Sequence, residues 1–98
     1  MEEVSKELLA NVKTTLQVTW DSEDEQIKDF ILQAAAYVES KAGPLDFEEA
    51  SPAGRLGQKL LREYVRYDWN GYSNMFSRDY QADILNLQIV VAQERGVG

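Results

Sequence analysis

The chain has 98 residues, 28% of them charged, with a formal net charge of −7, and it contains neither cysteine nor histidine. That length supports one domain with a single core. The missing residue types remove disulfides, thiolate and imidazole metal sites, cysteine nucleophiles and the commonest general base, so catalysis is not expected.

Taken in chain order, the apolar periodicity predicts an all-α domain of about four helices. Val4, Leu8, Val12 and Leu16 recur every four residues and predict a first helix over about Val4 to Leu16. Gln17 to Asp21 connects it to the second helix, with Val18 or Trp20 available to staple across the junction. Ser22-Glu23-Asp24-Glu25 has the form of a capping box, with Ser22 as the cap and Glu25 three residues on. Ile27, Phe30, Ile31, Ala34 and Val38 then fall on one face, and Gly43-Pro44 ends the helix with a glycine suited to positive φ and a proline that forbids continuation.

Residues 44–52 read as a loop anchored by Leu45 and Phe47. Ser51-Pro52 opens the third helix with a cap and a proline at the first helical position, and Asn70-Gly71 closes it. Gly54 and Gly57 weaken its first turns by about 1 kcal/mol each relative to alanine, which points to a close approach by another helix. Ser77, with Asp79 in the first turn, is the expected cap of a fourth helix ending near Arg95-Gly96. Leu85, Leu87, Ile89 and Val91 alternate as a strand would, but Ala82, Gln88, Ala92, Gln93 and Glu94 favour helix. The expected core is Leu8, Val12, Leu16, Ile27, Phe30, Ile31, Leu60, Tyr64, Ile84 and Leu87.

Charge is divided along the chain. Residues 1–50 hold twelve acids and four bases, a balance of −8, and residues 51–98 hold five acids and six bases, a balance of +1. Arg55, Lys59, Arg62 and Arg66 lie within about 60° of one another on the third helix at 100° per residue. They form either a solvated face, with Glu63 pairing to Lys59, or one side of a contact. Glu23, Asp24, Glu25 and Asp29 make the acidic end of a second copy a fitting partner. Six of the ten aromatic residues stand between Tyr64 and Tyr80. Tyr72, Met75 and Phe76 share a short turn that cannot bury all three, which marks a second candidate contact.

Other chemistry is weakly represented. The acidic clusters lack the spacing of a calcium loop, so affinity no better than about millimolar is expected, and no cofactor is expected. Gly54-Arg55-Leu56-Gly57 lacks the strand and third glycine of a dinucleotide site. No apolar run reaches the ~18–20 residues of a membrane helix, and Met1-Glu2-Glu3 is acidic where a secretory leader is basic. A soluble protein of a reducing cytoplasm is therefore expected, with no membrane partner.

The ordered pattern is more specific than any one motif. It comprises a short helix ending at Leu16-Gln17-Val18, the acidic run Asp21 to Glu25, and Ile27…Phe30-Ile31…Ala34-Ala35-Ala36-Tyr37-Val38-Glu39 with Gly43. Leu60-Leu61-Arg62-Glu63-Tyr64-Val65-Arg66-Tyr67 and a terminal Ile84-Leu85-Asn86-Leu87-Gln88 complete it. Over nearly its whole length the chain resembles the small head–tail connector proteins of tailed bacteriophages and prophages. It departs from that pattern in the aromatic turn 67–76 and in the glycines of the third helix.

The resemblance implies a structural subunit that assembles as a homo-oligomeric ring beneath the portal protein. Such a ring extends the DNA channel, lets DNA pass without sequence-specific binding, and offers a docking surface to the next head-completion or tail protein. It implies a location at the head–tail junction of the virion, and in the host cytoplasm during assembly. The alternative, from the residues alone, is a small helical DNA-binding or regulatory module that uses the four bases.

Overall fold

Ser5 starts the first helix. In the computed structural model, which describes residues 3–96, its Oγ accepts a hydrogen bond from the Leu8 N–H at 3.0 Å. The helix α1 runs Lys6–Leu16, two residues shorter at its start than the apolar repeat implies, because this serine cap takes the N-terminus. Gln17 stops it at φ +61°, and the Val18 N–H turns back to the Lys13 carbonyl at 2.9 Å.

Helix α2 spans Asp24–Ala42, and the expected capping box does not form. A turn bonds the Asp24 N–H to the Asp21 carbonyl at 3.2 Å. Glu23 thereby becomes the cap residue, its side chain making no capping hydrogen bond to the helix, and Ser22 lies one position too early to serve. The end is held instead by Lys13 of α1, whose Nζ is 2.6 Å from Asp21 Oδ1 and 2.8 Å from Asp24 Oδ1. Acids in the first turn also suit the helix dipole. At the far end Gly43 adopts φ +91° and its N–H bonds the Glu39 carbonyl at 2.8 Å.

Helix α3, Pro52–Trp69, is capped by Ser51 Oγ accepting from the Gly54 N–H at 3.0 Å and ends before Gly71, at φ +83°. The fourth expected helix is two helices. A single 3-10 turn, Ser73–Met75, leads into the one-turn helix α4, Phe76–Asp79; the chain leaves helical geometry at Tyr80, and α5 runs Gln81–Glu94. Ser77 lies inside α4 and caps nothing. No strand occurs among the described residues, and 84–91 is helical.

Helix α3 is central and packs against α1, α2 and α5. The Phe30 ring meets Trp69 and the Tyr37 ring meets Tyr64, so α2 runs antiparallel to α3. The core comprises Leu8, Val12, Ile27, Ile31, Ala34, Leu60, Leu61, Val65, Ile84 and Leu87, with Phe47 and Phe76. Leu16, Phe30 and Tyr64, expected in it, are half-buried at its margin. The close approach at the α3 glycines comes from the loop, not from a helix. A Cβ on Gly54 would stand 2.2 Å from the Glu49 carbonyl oxygen, and one on Gly57 would stand 2.5 Å from Leu45 Cδ1. Phe47 is thereby seated in the core, and the Gln58 side-chain amide donates to its carbonyl at 2.9 Å.

Candidate functional site

Helix α3 carries the four bases expected on one face, but their environments divide them. Arg55 and Lys59 are exposed and make no ion pair among the described residues. Arg62 is half-buried, and its Nε is buried without a hydrogen-bond partner. Arg66 is committed inside the subunit: Nε and Nη2 both lie 2.7 Å from Glu63 Oε2, and the guanidinium stands 5.2 Å from the Tyr67 ring centroid. The pairing of Glu63 with Lys59 does not form, because Arg66, one turn on, takes the carboxylate together with the Tyr80 hydroxyl at 3.2 Å. The bond to Glu63 holds Arg66 above its ordinary pKa. Arg55 and Lys59 are therefore the exposed bases of the ridge that make no ion pair among the described residues.

The acidic counterpart is similarly divided. Asp24 is held by Lys13, Glu23 Oε2 accepts from Trp20 Nε1 at 2.6 Å, and Glu25 pairs with Lys28 at 3.3 Å. Asp29 is exposed and makes no ion pair among the described residues. The Lys13 contact was not legible in the sequence, since eight residues separate it from Asp21 and no helical spacing links them.

The aromatic turn forms a second surface. Phe76, expected at an interface, has no exposed area: its ring stacks on Tyr80 at 4.5 Å and meets Tyr37, Tyr64 and Tyr67 edge-on at 5.1–5.8 Å. It is the centre of an aromatic cluster and is not a partner contact. Tyr72 is 58% exposed and Met75 is half-buried. With Arg66, Tyr67, Asn70 and Asp79 they line an open cleft of about 300 Å³. Two of these lining residues are bonded to each other: the Tyr67 hydroxyl donates to Asp79 Oδ2 at 2.8 Å. That bond raises the Tyr67 pKa and, with Arg78, lowers that of Asp79.

A family model described as phage gp6-like head-tail connector protein matches residues 6–95. The chain belongs to this family. Comparison with curated proteins and with solved structures gave no match. The match takes in every helix, the α3 face and the aromatic turn, so each surface described above belongs to the connector domain. Family membership makes this a structural phage protein, associated with the virion and with other head and tail proteins. No described helix is long and apolar enough to cross a membrane.

The connector has a third surface that the sequence analysis did not single out. Leu85 and Ile89, one turn apart on α5, are 52% and 56% exposed. Their alternation with the buried Leu87 and Val91 was the available signal. On a helix, residues two apart lie on nearly opposite sides, so a strand-like alternation of four aliphatics gives two apolar sides.

Proposed function

We propose that this connector is a virion-assembly adaptor whose copies close into a ring under the portal. The ring extends the DNA channel and links the head to the next head-completion or tail protein. DNA passes through it without sequence-specific recognition, and the subunits assemble in the host cytoplasm before entering the head–tail junction. The observation that carries this reading is the family match over residues 6–95. The separation of charge supports it: among the described residues Arg55 and Lys59 on α3 and Asp29 on α2 are exposed and make no ion pair. A contact between unlike faces is the kind that generates rings.

Each exposed pair contributes only about 0–1 kcal/mol. The charges then set orientation and encounter rate more than affinity. The structure changes which residues test the idea, because reversing Arg66 would break its bond to Glu63 inside the subunit. Concentrated protein, alone and with the portal, is examined by electron microscopy and sedimentation for rings. Arg55→Glu with Lys59→Glu is expected to retain the helical fold and to impair assembly, and Asp29→Lys is expected to restore it in part. Wild-type protein that forms no ring in either setting, but retains DNA in a salt-dependent manner, would favour the DNA-binding module instead.

A further inference from the structure

We propose that Arg62 anchors the contact between copies, its guanidinium forking onto the Asp29 carboxylate of the neighbouring copy. This rests on the ring reading above and deepens it by naming the pair that Arg55 and Lys59 flank. Three observations carry it. First, Arg62 is the one base of α3 that is half-buried and yet unpartnered. Its Nε is buried, and none of its N–H groups meets an acceptor among the described residues. A buried donor left unpaired is costly, and a guanidinium carries five donors in a rigid fork. The side chain leaves α3 beside α1: one turn earlier on the same face, Gln58 Oε1 accepts from Asn11 Nδ2 at 3.3 Å.

Second, the bases left over are concentrated on one face. Lys13, Lys28, Arg66 and Arg78 each pair with a carboxylate inside the subunit, and Arg95 donates to the Pro44 carbonyl. Arg55, Lys59 and Arg62 pair with none among the described residues, although the chain holds 17 acids to 10 bases. An acid excess that does not reach three clustered bases leaves their face complementary to an anion from outside the subunit. Third, the chain itself supplies that anion. Residues 52–62 carry three bases and no acid, and residues 21–29 carry five acids and one base. At a net charge of −7 two copies repel in most orientations, and the favoured one sets these segments together, +3 against −4. Within 21–29 Lys13 holds Asp21 and Asp24, Trp20 holds Glu23, and Lys28 holds Glu25. Asp29 is exposed and makes no ion pair among the described residues. Duplex DNA presents the same charge in every register and has no use for the acid-rich end of α2. A second copy uses both the unpaired bases and the unpaired acid, and a carboxylate matches the arginine fork bidentately as it cannot match a lysine.

The full chain is made as Arg62→Met, as Arg62→Lys, as Asp29→Asn and as the Arg62→Met/Asp29→Asn double variant. Methionine keeps the apolar stem and removes the unpaired donors, so the dilute Arg62→Met subunit is expected to melt no lower than wild type. By sedimentation, alone or with the portal, Arg62→Met and Asp29→Asn are each expected to raise the concentration for half-assembly several-fold. The double variant is expected to be no worse than the worse single, since the two side chains share one bond. Arg62→Lys, with the charge but not the fork, is expected to stay several-fold impaired. Arg62→Met or Arg62→Lys rings at the wild-type concentration, or single effects that multiply in the double variant, would overturn the proposal while the ring reading survives. So would an Arg62→Met subunit that melts lower but whose folded fraction assembles normally, the mark of a merely structural residue. If Arg62→Met assembles normally and loses a salt-dependent retention on DNA shown by wild type, the face serves DNA and the proposal is likewise overturned. If wild-type protein forms no ring, alone or with the portal, both readings fail together.

Discussion

Gly54→Ala sets helix propensity against packing, and the structure decides the sign. Alanine in place of glycine inside a helix is favoured by about 1 kcal/mol. At Gly54 the added Cβ would stand 2.2 Å from the Glu49 carbonyl oxygen and 3.0 Å from that of Asp46. Both are backbone atoms, so no side-chain rotation relieves the clash. Reaching an ordinary separation of 3.4 Å requires a displacement of about 1.2 Å, the difference between 3.4 and 2.2. That displacement pulls on the turn in which the Glu49 N–H bonds the Asp46 carbonyl at 3.3 Å, beside the buried Phe47.

Overpacking of this kind costs about 1–3 kcal/mol, and an immovable backbone neighbour places Gly54 at the upper end. The net effect is a loss of about 2 kcal/mol. Gly57→Ala is the internal control. Its Cβ would meet Leu45 Cδ1 at 2.5 Å, the far end of a flexible and half-buried side chain, and the Phe47 ring at 3.4 Å. Rotation of Leu45 relieves most of that contact, and the propensity gain offsets the remainder to within about 1 kcal/mol. Urea unfolding followed by circular dichroism gives both values, provided the slope is unchanged. A Gly54→Ala midpoint equal to or above wild type, or below-wild-type stability confined to Gly57→Ala, would refute the packing argument.

Phe76→Ala is expected to cost about 3–5 kcal/mol in the isolated subunit, the range for a buried phenylalanine. Phe76→Leu, which keeps most of the apolar volume, is expected to cost less; urea unfolding of the two variants checks the order. Stability is expected to fall above about pH 10. Burial first, then nearby carboxylates, raises Tyr64 and Tyr80 above 10.0, and the bond to Asp79 raises Tyr67. Each stays protonated in the fold where the unfolded chain ionises, so its contribution is full below the ordinary value and is lost as pH rises through the raised one. Lys13, raised above 10.5 by Asp21 and then Asp24, acts in the same direction. Thermal unfolding against pH, with tyrosinate absorbance, tests this: Tyr67→Phe is expected to remove one of the late-titrating groups.

Local signals determined most of the helices. Ser51-Pro52, Gly43-Pro44 and Asn70-Gly71 act within one turn, because caps and positive-φ glycines satisfy or interrupt backbone hydrogen bonds of the residues beside them. The buried stripes of Leu8 and Val12, of Ile27 and Ile31, and of Leu60 and Leu61 follow from 3.6-residue periodicity. The connector family was legible for the same reason, since its pattern is one of helix lengths and apolar spacing.

What the tertiary structure alone decided depends on residues distant in sequence. Ser22 loses the cap of α2 because Lys13, on the preceding helix, gathers Asp21 and Asp24. The glycines of α3 answer to a loop carbonyl that no local window contains. Phe76 is taken from the candidate interface into the core because Tyr37, Tyr64, Tyr67 and Tyr80 converge on it from α2, α3 and the junction between α4 and α5. Four bases share a face by periodicity, yet only packing shows that Glu63 holds Arg66, that Arg62 is half-buried, and that Arg55 and Lys59 are exposed with no ion pair among the described residues. Periodicity gives the direction in which a side chain leaves its helix, and only the neighbouring elements determine whether it meets protein or water.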